Sequence, residues 1–277
     1  MKNLHFDYSF EIKYSSQITN CYYTIKGIPQ DSARQKIKNL EIQMIPESKP
    51  EWSNDCHGNK YIWGCNTFPH DYFLFRVTGN AVCGLSDYEE VVEENEVMIF
   101  RHSTKLNAAG EKLKAYYEEC KKKLNLTDDL SSLETALCIM EKFNSDFKYE
   151  KNVTDVKTTA EEAFEKGAGV CQDFSHIYIS LLHLAGISCR YVTGFIIGEG
   201  ATHAWVEIAD NGKWYGIDPC NKCRVGDSYI KVGVGRDATE CLINRGIMHG
   251  GGDQSLETKL VVSDSGTGTN YLKKGLI

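Results

Sequence analysis

The chain has 277 residues, 42% of them hydrophobic and 25% charged, with a formal net charge of −7 at pH 7. That length suits one large domain with an appendage, or two domains, and that composition excludes an intrinsically disordered chain. No basic stripe offsets the acidic balance, which argues against nucleic acid or an anionic membrane as a partner.

The chain starts Met-Lys-Asn-Leu-His-Phe-Asp-Tyr, in which apolar and polar residues alternate instead of forming the apolar core of a signal peptide. No run approaches the roughly 18 apolar residues of a membrane-spanning helix. A cytoplasmic protein is the expectation. Its 11 cysteines follow no framework spacing, so they read as reduced thiols, most of them small core hydrophobes.

From Leu4 to Tyr14 every even position is apolar or aromatic and every odd one is polar, which predicts a strand with one buried face. Further β-like runs fall at 21–26, 36–45, 60–65 and 72–78, separated by turn chemistry such as Lys49-Pro50 and Asp55-Cys56-His57-Gly58-Asn59. Residues 1–85 are therefore expected to form a small antiparallel β domain. The acidic run from Glu89 to Glu96 reads as a solvated segment inside a linker over 86–97.

Beyond it the periodicity changes. Leu106, Leu113, Tyr116, Tyr117, Cys120 and Leu124 keep helical spacing, and Ser131-Ser132-Leu133-Glu134 reads as a capping box that opens a second helix. A third helix begins at or near Cys171, with Phe174, Ile177, Tyr178, Leu181, Leu182 and Ala185 on one stripe and Gly186 as its stop. Ile179 and Leu184 are apolar too, so this helix is expected to be buried on more than one side.

A strand is expected over 188–197, followed by a hairpin in which His203–Ile208 and Trp214–Asp218 flank Asp210-Asn211-Gly212-Lys213. The core is thus placed at 98–245, and residues 246–277 hold a C-terminal strand, at 256–262, and a tail.

The start of a buried helix favours a thiolate, because its unpaired N–H groups and partial positive charge lie beside the sulfur. The same N–H groups suit an oxyanion formed on a carbonyl. Gly167 and Gly169, just ahead of Cys171, are expected to allow a tight turn and to leave room above the sulfur.

The hairpin register tests whether Cys171 has partners. His203, Trp205 and Glu207 share one strand face, while Ala204, Val206 and Ile208 share the other. A two-residue loop at Asn211-Gly212 places Trp205 opposite Asp218 and His203 diagonal to it; a four-residue loop over 209–212 places His203 directly opposite. In both, histidine and carboxylate share a face, and an odd loop would separate them. A helix-start Cys, a strand His and a next-strand Asp together form an acyl-transfer constellation.

Gly169-Val170-Cys171-Gln172-Asp173-Phe174, Ala185-Gly186-Ile187-Ser188-Cys189-Arg190-Tyr191-Val192-Thr193-Gly194, His203-Ala204-Trp205-Val206-Glu207 and Trp214-Tyr215-Gly216-Ile217-Asp218-Pro219 together resemble the core of bacterial transglutaminase-like proteins, relatives of the papain-like cysteine proteases. Pro29 through Gln35, Asp55 to Asn59 and Gly235-Arg236-Asp237 extend the resemblance over roughly residues 4 to 262. It implies an α+β fold, a papain-like transglutaminase core with a catalytic helix on an antiparallel sheet, preceded by a small antiparallel β domain. It also implies Cys171 as nucleophile, His203 as general base and then acid, and Asp218 as its orienter. Cys220 departs from the threonine or serine usual after Asp-Pro, at a position that is not catalytic.

The expected function is hydrolysis of a peptide or isopeptide bond in a protein or peptide substrate. The alternatives are transfer of the acyl group to an amine and an inactive peptide-binding module. No cofactor and no metal are expected. Cys220-Asn221-Lys222-Cys223 lacks a second pair at zinc-finger spacing and reads as free thiols. Trp205 and Trp214 are expected to wall the cleft, Trp205 as a substrate contact, and Tyr149 to lend a hydroxyl to the oxyanion site. His176, off the apolar stripe, reads as a polar-face or satisfied histidine, and Asp173 as a complement to the helix dipole. Nothing in the sequence sets the oligomeric state.

Overall fold

The computed structural model describes residues 1–90, 94–127 and 129–265. The N-terminal strands are β1 (Lys2–Ile25), β2 (Gln35–Ile45), β3 (Glu51–Asn54), β4 (Lys60–Asn66) and β5 (His70–Cys83), followed by a short β6 (Glu89–Glu90). Helices α1 (Glu94–Ile99), α2 (Glu111–Lys123) and α3 (Ser132–Asp146) come next, then β7 (Lys148–Tyr149), α4 (Ala160–Lys166), β8 (Ala168–Gly169) and α5 (Cys171–Leu184). The remaining strands are β9 (Cys189–Ile196), β10 (Gly198–Gly200), β11 (His203–Asp210), β12 (Lys213–Asp218), β13 (Cys223–Arg224), β14 (Tyr229–Gly235), β15 (Asn244–Gly250) and β16 (Gln254–Asp264).

The alternating run at the N-terminus is one face of a longer strand. β1 carries Leu4, Phe6, Tyr8 and Phe10 inward and pairs with β5 on one side and β16 on the other, from Leu4 opposite Asp264 to Tyr14 opposite Gln254. Residues 1–85 therefore do not build this eight-stranded sheet alone, because β10, β15 and β16 complete it. β15 carries no alternating pattern and was not expected; the residues 266–277 of the expected tail lie outside the described residues.

The second sheet runs β13-β12-β11-β9-β14, with β6 added beside β12. Phe195, Ile230 and Val232 from its β9 and β14 join the core of the first sheet, where the Phe195 and Tyr8 rings stack 5.2 Å apart. On its other face, Ala204, Val206, Ile208 and Ile217 meet Phe174, Ile177, Tyr178 and Leu181 of α5. Helices α2, α3 and α4 cover the rest of α5 through Leu113, Ile139, Met140, Phe143 and Ala163. Full burial of such side chains contributes about 1.5–3 kcal/mol each, so this sandwich fixes where α5 begins. The capping box opens α3 as the sequence predicts, with Ser131 and Glu134 bonded reciprocally.

Two expectations are corrected. Of the two readings of His176 only the polar-face one fails: the layers on both sides of α5 leave it 0% exposed, with Nε2 accepting a backbone N–H. The acidic run is not simply a solvated segment either. Glu89 is buried and pairs with Lys231 at 2.8 Å, while Glu96 accepts from Arg190 at 2.9 Å. These carboxylates answer cations on the second sheet, the buried Arg190 and the half-buried Lys231, and Arg190 also donates to the buried Glu207 at 2.8 Å. Burial pushes the Glu207 carboxyl up, but Lys231 and Arg190 outweigh it and hold it down at about 2. Residues 91–93 of the run lie outside the described residues.

Candidate active site

Cys171 is half-buried and is the first residue of α5, after Val170 in extended backbone. Gly167 closes α4 in the left-handed conformation at φ 70°, which fulfils the expected tight turn. Gly169 has a different reason from the one expected: a Cβ there would lie 2.5 Å from Oδ2 of Asp173. The missing side chain makes room for this carboxylate, not for a substrate. Asp173 is 1% exposed, and its Oδ2 accepts from the Val170 N–H and from the Thr154 hydroxyl, each at 2.7 Å. It therefore ties down the turn before Cys171 besides complementing the helix dipole, and burial pushes its carboxyl upward.

The hairpin closes on two residues. Asp210 pairs with Lys213 across Asn211 (φ 49°) and Gly212 (φ 71°), a turn that matches the twist of the strands. Val206 faces Ile217, so Trp205 stands opposite Asp218 and His203 is diagonal to it, the first of the two registers considered. His203 Nε2 and Asp218 Oδ2 are 2.6 Å apart.

The face that carries His203 and Asp218 is the one turned away from α5. Cys171 nevertheless lies beside His203, because His203 begins β11 and Cys171 begins α5, near enough for the thiol to act on the imidazole. With Nε2 given to Asp218, Nδ1 is the nitrogen left for the thiol. Burial pushes the His203 imidazolium down, but Asp218 and Cys171 outweigh that and raise it from 6.5 to about 10. Burial pushes the Asp218 carboxyl up, yet the His203 bond and the other donors hold it below its ordinary value.

Those other donors were not foreseen. Asp218 Oδ1 accepts the N–H groups of Cys220 (2.9 Å) and Asn221 (3.0 Å). Oδ2 accepts Asn221 Nδ2 at 2.8 Å and the Tyr229 hydroxyl at 2.9 Å. Asn221, three residues after an aspartate, carries the signal of a side-chain-stabilised turn; Tyr229 carries none, since its place is set by the pairing of β14.

The other candidates are placed as follows. Tyr149 pairs in β7 with Gly169 of β8, burial together with the nearby Cys171 and Cys220 pushes its phenol up, and it is 54% exposed. Trp205 does not wall a cleft. It is 1% exposed because Tyr229, Val225 and Val234 cover that face of the sheet, and its ring lies 6.4 Å from that of His203. Trp214 is likewise buried, with the Arg190 guanidinium 4.3 Å over its ring. His176 accepts the Ala238 N–H at Nε2 (3.2 Å), while its Nδ1 finds no hydrogen-bond partner among the described residues. Cys223 contacts the Tyr229 hydroxyl at 3.4 Å, and burial raises both Cys220 and Cys223 thiols. Among the described residues no three His, Cys, Asp or Glu side chains group to hold a metal ion.

Parts of the chain are similar to known proteins. Residues 108–219 match the transglutaminase-like superfamily. An uncharacterized protein of Mycobacterium leprae is 35% identical over 129 residues, 43% of this chain and 46% of that one. A second, from Mycobacterium bovis, is 33% identical over 128 residues, 40% of this chain and 41% of its own. The chain thus matches less than half the length of these relatives. A solved structure named a putative cysteine protease, from Cytophaga hutchinsonii, superposes over 100% of this chain and 92% of its own, with a TM-score of 0.74 at 16% identity, which is a likeness of fold.

Proposed function

We propose that this transglutaminase-like protein, with its N-terminal β region, hydrolyses peptide or isopeptide bonds through Cys171, His203 and Asp218. The observation that carries the reading is the pairing of His203 with the buried Asp218 carboxylate, 2.6 Å apart, beside the thiol that starts α5.

In this mechanism the Cys171 proton passes to His203, and the thiolate attacks the amide carbonyl. Oxygen takes up the electron pair of the C=O bond and is held by the N–H of Cys171 at the start of α5. His203 then gives its proton to the nitrogen as the C–N bond breaks, so the amine leaves neutral and a thioester remains. Water loses a proton to His203 and attacks the thioester; the C–S bond breaks, the acid departs and the thiol is restored. Asp218 steadies the imidazolium formed at each stage.

Water rather than an amine is favoured as the acceptor by the open surroundings of Cys171. Tyr149 is 54% exposed and Val156, whose carbonyl accepts from Gln172, is 68% exposed. A transferase must keep water away from its thioester, and the exposure of these two residues favours water as the acceptor.

The test is a peptide library incubated with and without a primary amine. Release of free acid with the same yield in both supports hydrolysis. Amine incorporation that dominates over acid release replaces it with transfer, and an unchanged rate in Cys171→Ala removes the whole reading. Iodoacetamide at neutral pH should also label Cys171 ahead of the other ten cysteines.

A further inference from the structure

The Asp218 carboxylate is 0% exposed and receives five donors, three of them on Oδ2. Four of the five come from β11 and from the turn directly after β12. The fifth, the Tyr229 hydroxyl, comes from β14, a strand on the far side of β9 in the sheet order.

Tyr229 is itself tightly held. It is 9% exposed, its ring meets that of Trp205 edge-on at 5.4 Å, and it pairs in register with Ile196. Asn221, by contrast, is exposed and lies in a turn. Of the side chains that donate to Oδ2 besides His203, Tyr229 is the one whose position the core fixes.

We infer that Tyr229 is a positioning residue for the proposed Cys171–His203 pair: its hydroxyl holds the Asp218 carboxylate toward His203 and takes up part of the carboxylate's charge. This rests on the reaction proposed above. An Oδ2 shared among three donors attracts the His203 proton less than one shared between two. Tyr229 therefore sets how firmly the imidazolium is kept, and with it the pH window of the site. An aromatic ring suits this place: Trp205 and His203 both pack against it, the His203 ring 6.2 Å away.

The titratable groups around this centre come from several elements. His203 lies on β11 and Tyr229 on β14; Cys220 and Cys223 follow β12, and both feel the Asp218 charge. Cys171 on α5 acts on His203. Tyr149 on β7 is affected by Cys171 and Cys220.

The test titrates the His203 ring by NMR in the full chain, its signals being identified by their loss in His203→Ala. In Tyr229→Phe the carboxylate loses one donor, and the His203 midpoint should rise by about half a unit or more. Site-specific 3-fluorotyrosine at position 229, a stronger donor of the same shape, should move it the other way and also covers the case in which the phenylalanine variant does not fold. A midpoint that stays put in the folded variants, even with an altered melting temperature, overturns the inference and leaves Tyr229 a packing residue. The titration needs no turnover, so it still reports on Tyr229 if Cys171→Ala shows the proposed reaction to be wrong.

Discussion

His176 and His203 lie in different parts of the same unit, one in the middle of α5 and one at the start of β11, and their surroundings give them opposite character. His176 is enclosed by the helix layer and the sheet, with the Tyr191 ring 5.3 Å away. Burial lowers it from 6.5 to about 4, and the nearby Asp237 charge does not reverse that. His203 is also largely buried, yet a carboxylate in direct contact and a thiol beyond it raise it to about 10. Enclosure alone makes a neutral, inert imidazole, and enclosure with a bonded carboxylate makes one that holds a proton. The difference lies in one register, that of β11 against β12.

The comparison predicts a steep separation between variants. His203→Ala should lower amide hydrolysis about 10⁴-fold or more, as removal of a member of a cooperating set does. His176→Leu should leave turnover per folded molecule within about twofold. Comparable losses of turnover from both would mean that His176 takes part in the chemistry, and the contrast would fail.

Asp218→Asn keeps the shape of the carboxylate and removes its charge, so hydrolysis should fall by about 10²- to 10⁴-fold with the melting temperature nearly kept. A His203 that remained protonated near neutral pH in this variant would show that Asp218 is not what raises it. NMR titration gives that answer directly.

His176→Leu should act on stability instead. It removes the acceptor for the Ala238 N–H, and an unpaired buried donor costs about 1–3 kcal/mol, measured by urea denaturation. An unchanged midpoint would mean that this hydrogen bond contributes nothing.

The smallest effects are the pH slopes. For His203 the folded value lies above the unfolded one, so its contribution is complete below about pH 6.5 and is lost as pH rises toward about 10. For His176 the folded value lies below, so its contribution is complete above about pH 6.5 and is lost as pH falls toward about 4. Melting temperatures should therefore decline in both directions, with His203→Ala flattening the alkaline side and His176→Leu the acid side. If either variant flattened the opposite side, the assignment of the two environments would be reversed.

The sequence carried the helix that starts at Cys171, because its apolar residues recur at helical spacing on more than one side. It carried the hairpin as well, since Asn211-Gly212 demands the left-handed pair of a two-residue turn, and that turn alone puts His203 and Asp218 on one face. Such features are local, set by neighbours a few residues apart. What the tertiary structure decided is everything that depends on which strands become neighbours. β16 closes the sheet against β1, β14 brings Tyr229 to Asp218, and the covered face turns Trp205 from an expected cleft wall into core. Gly169 shows the same division in a single residue. Its place before the thiol was legible, but its reason, the buried Asp173 carboxylate packed against it, appears only once helix and turn are folded together.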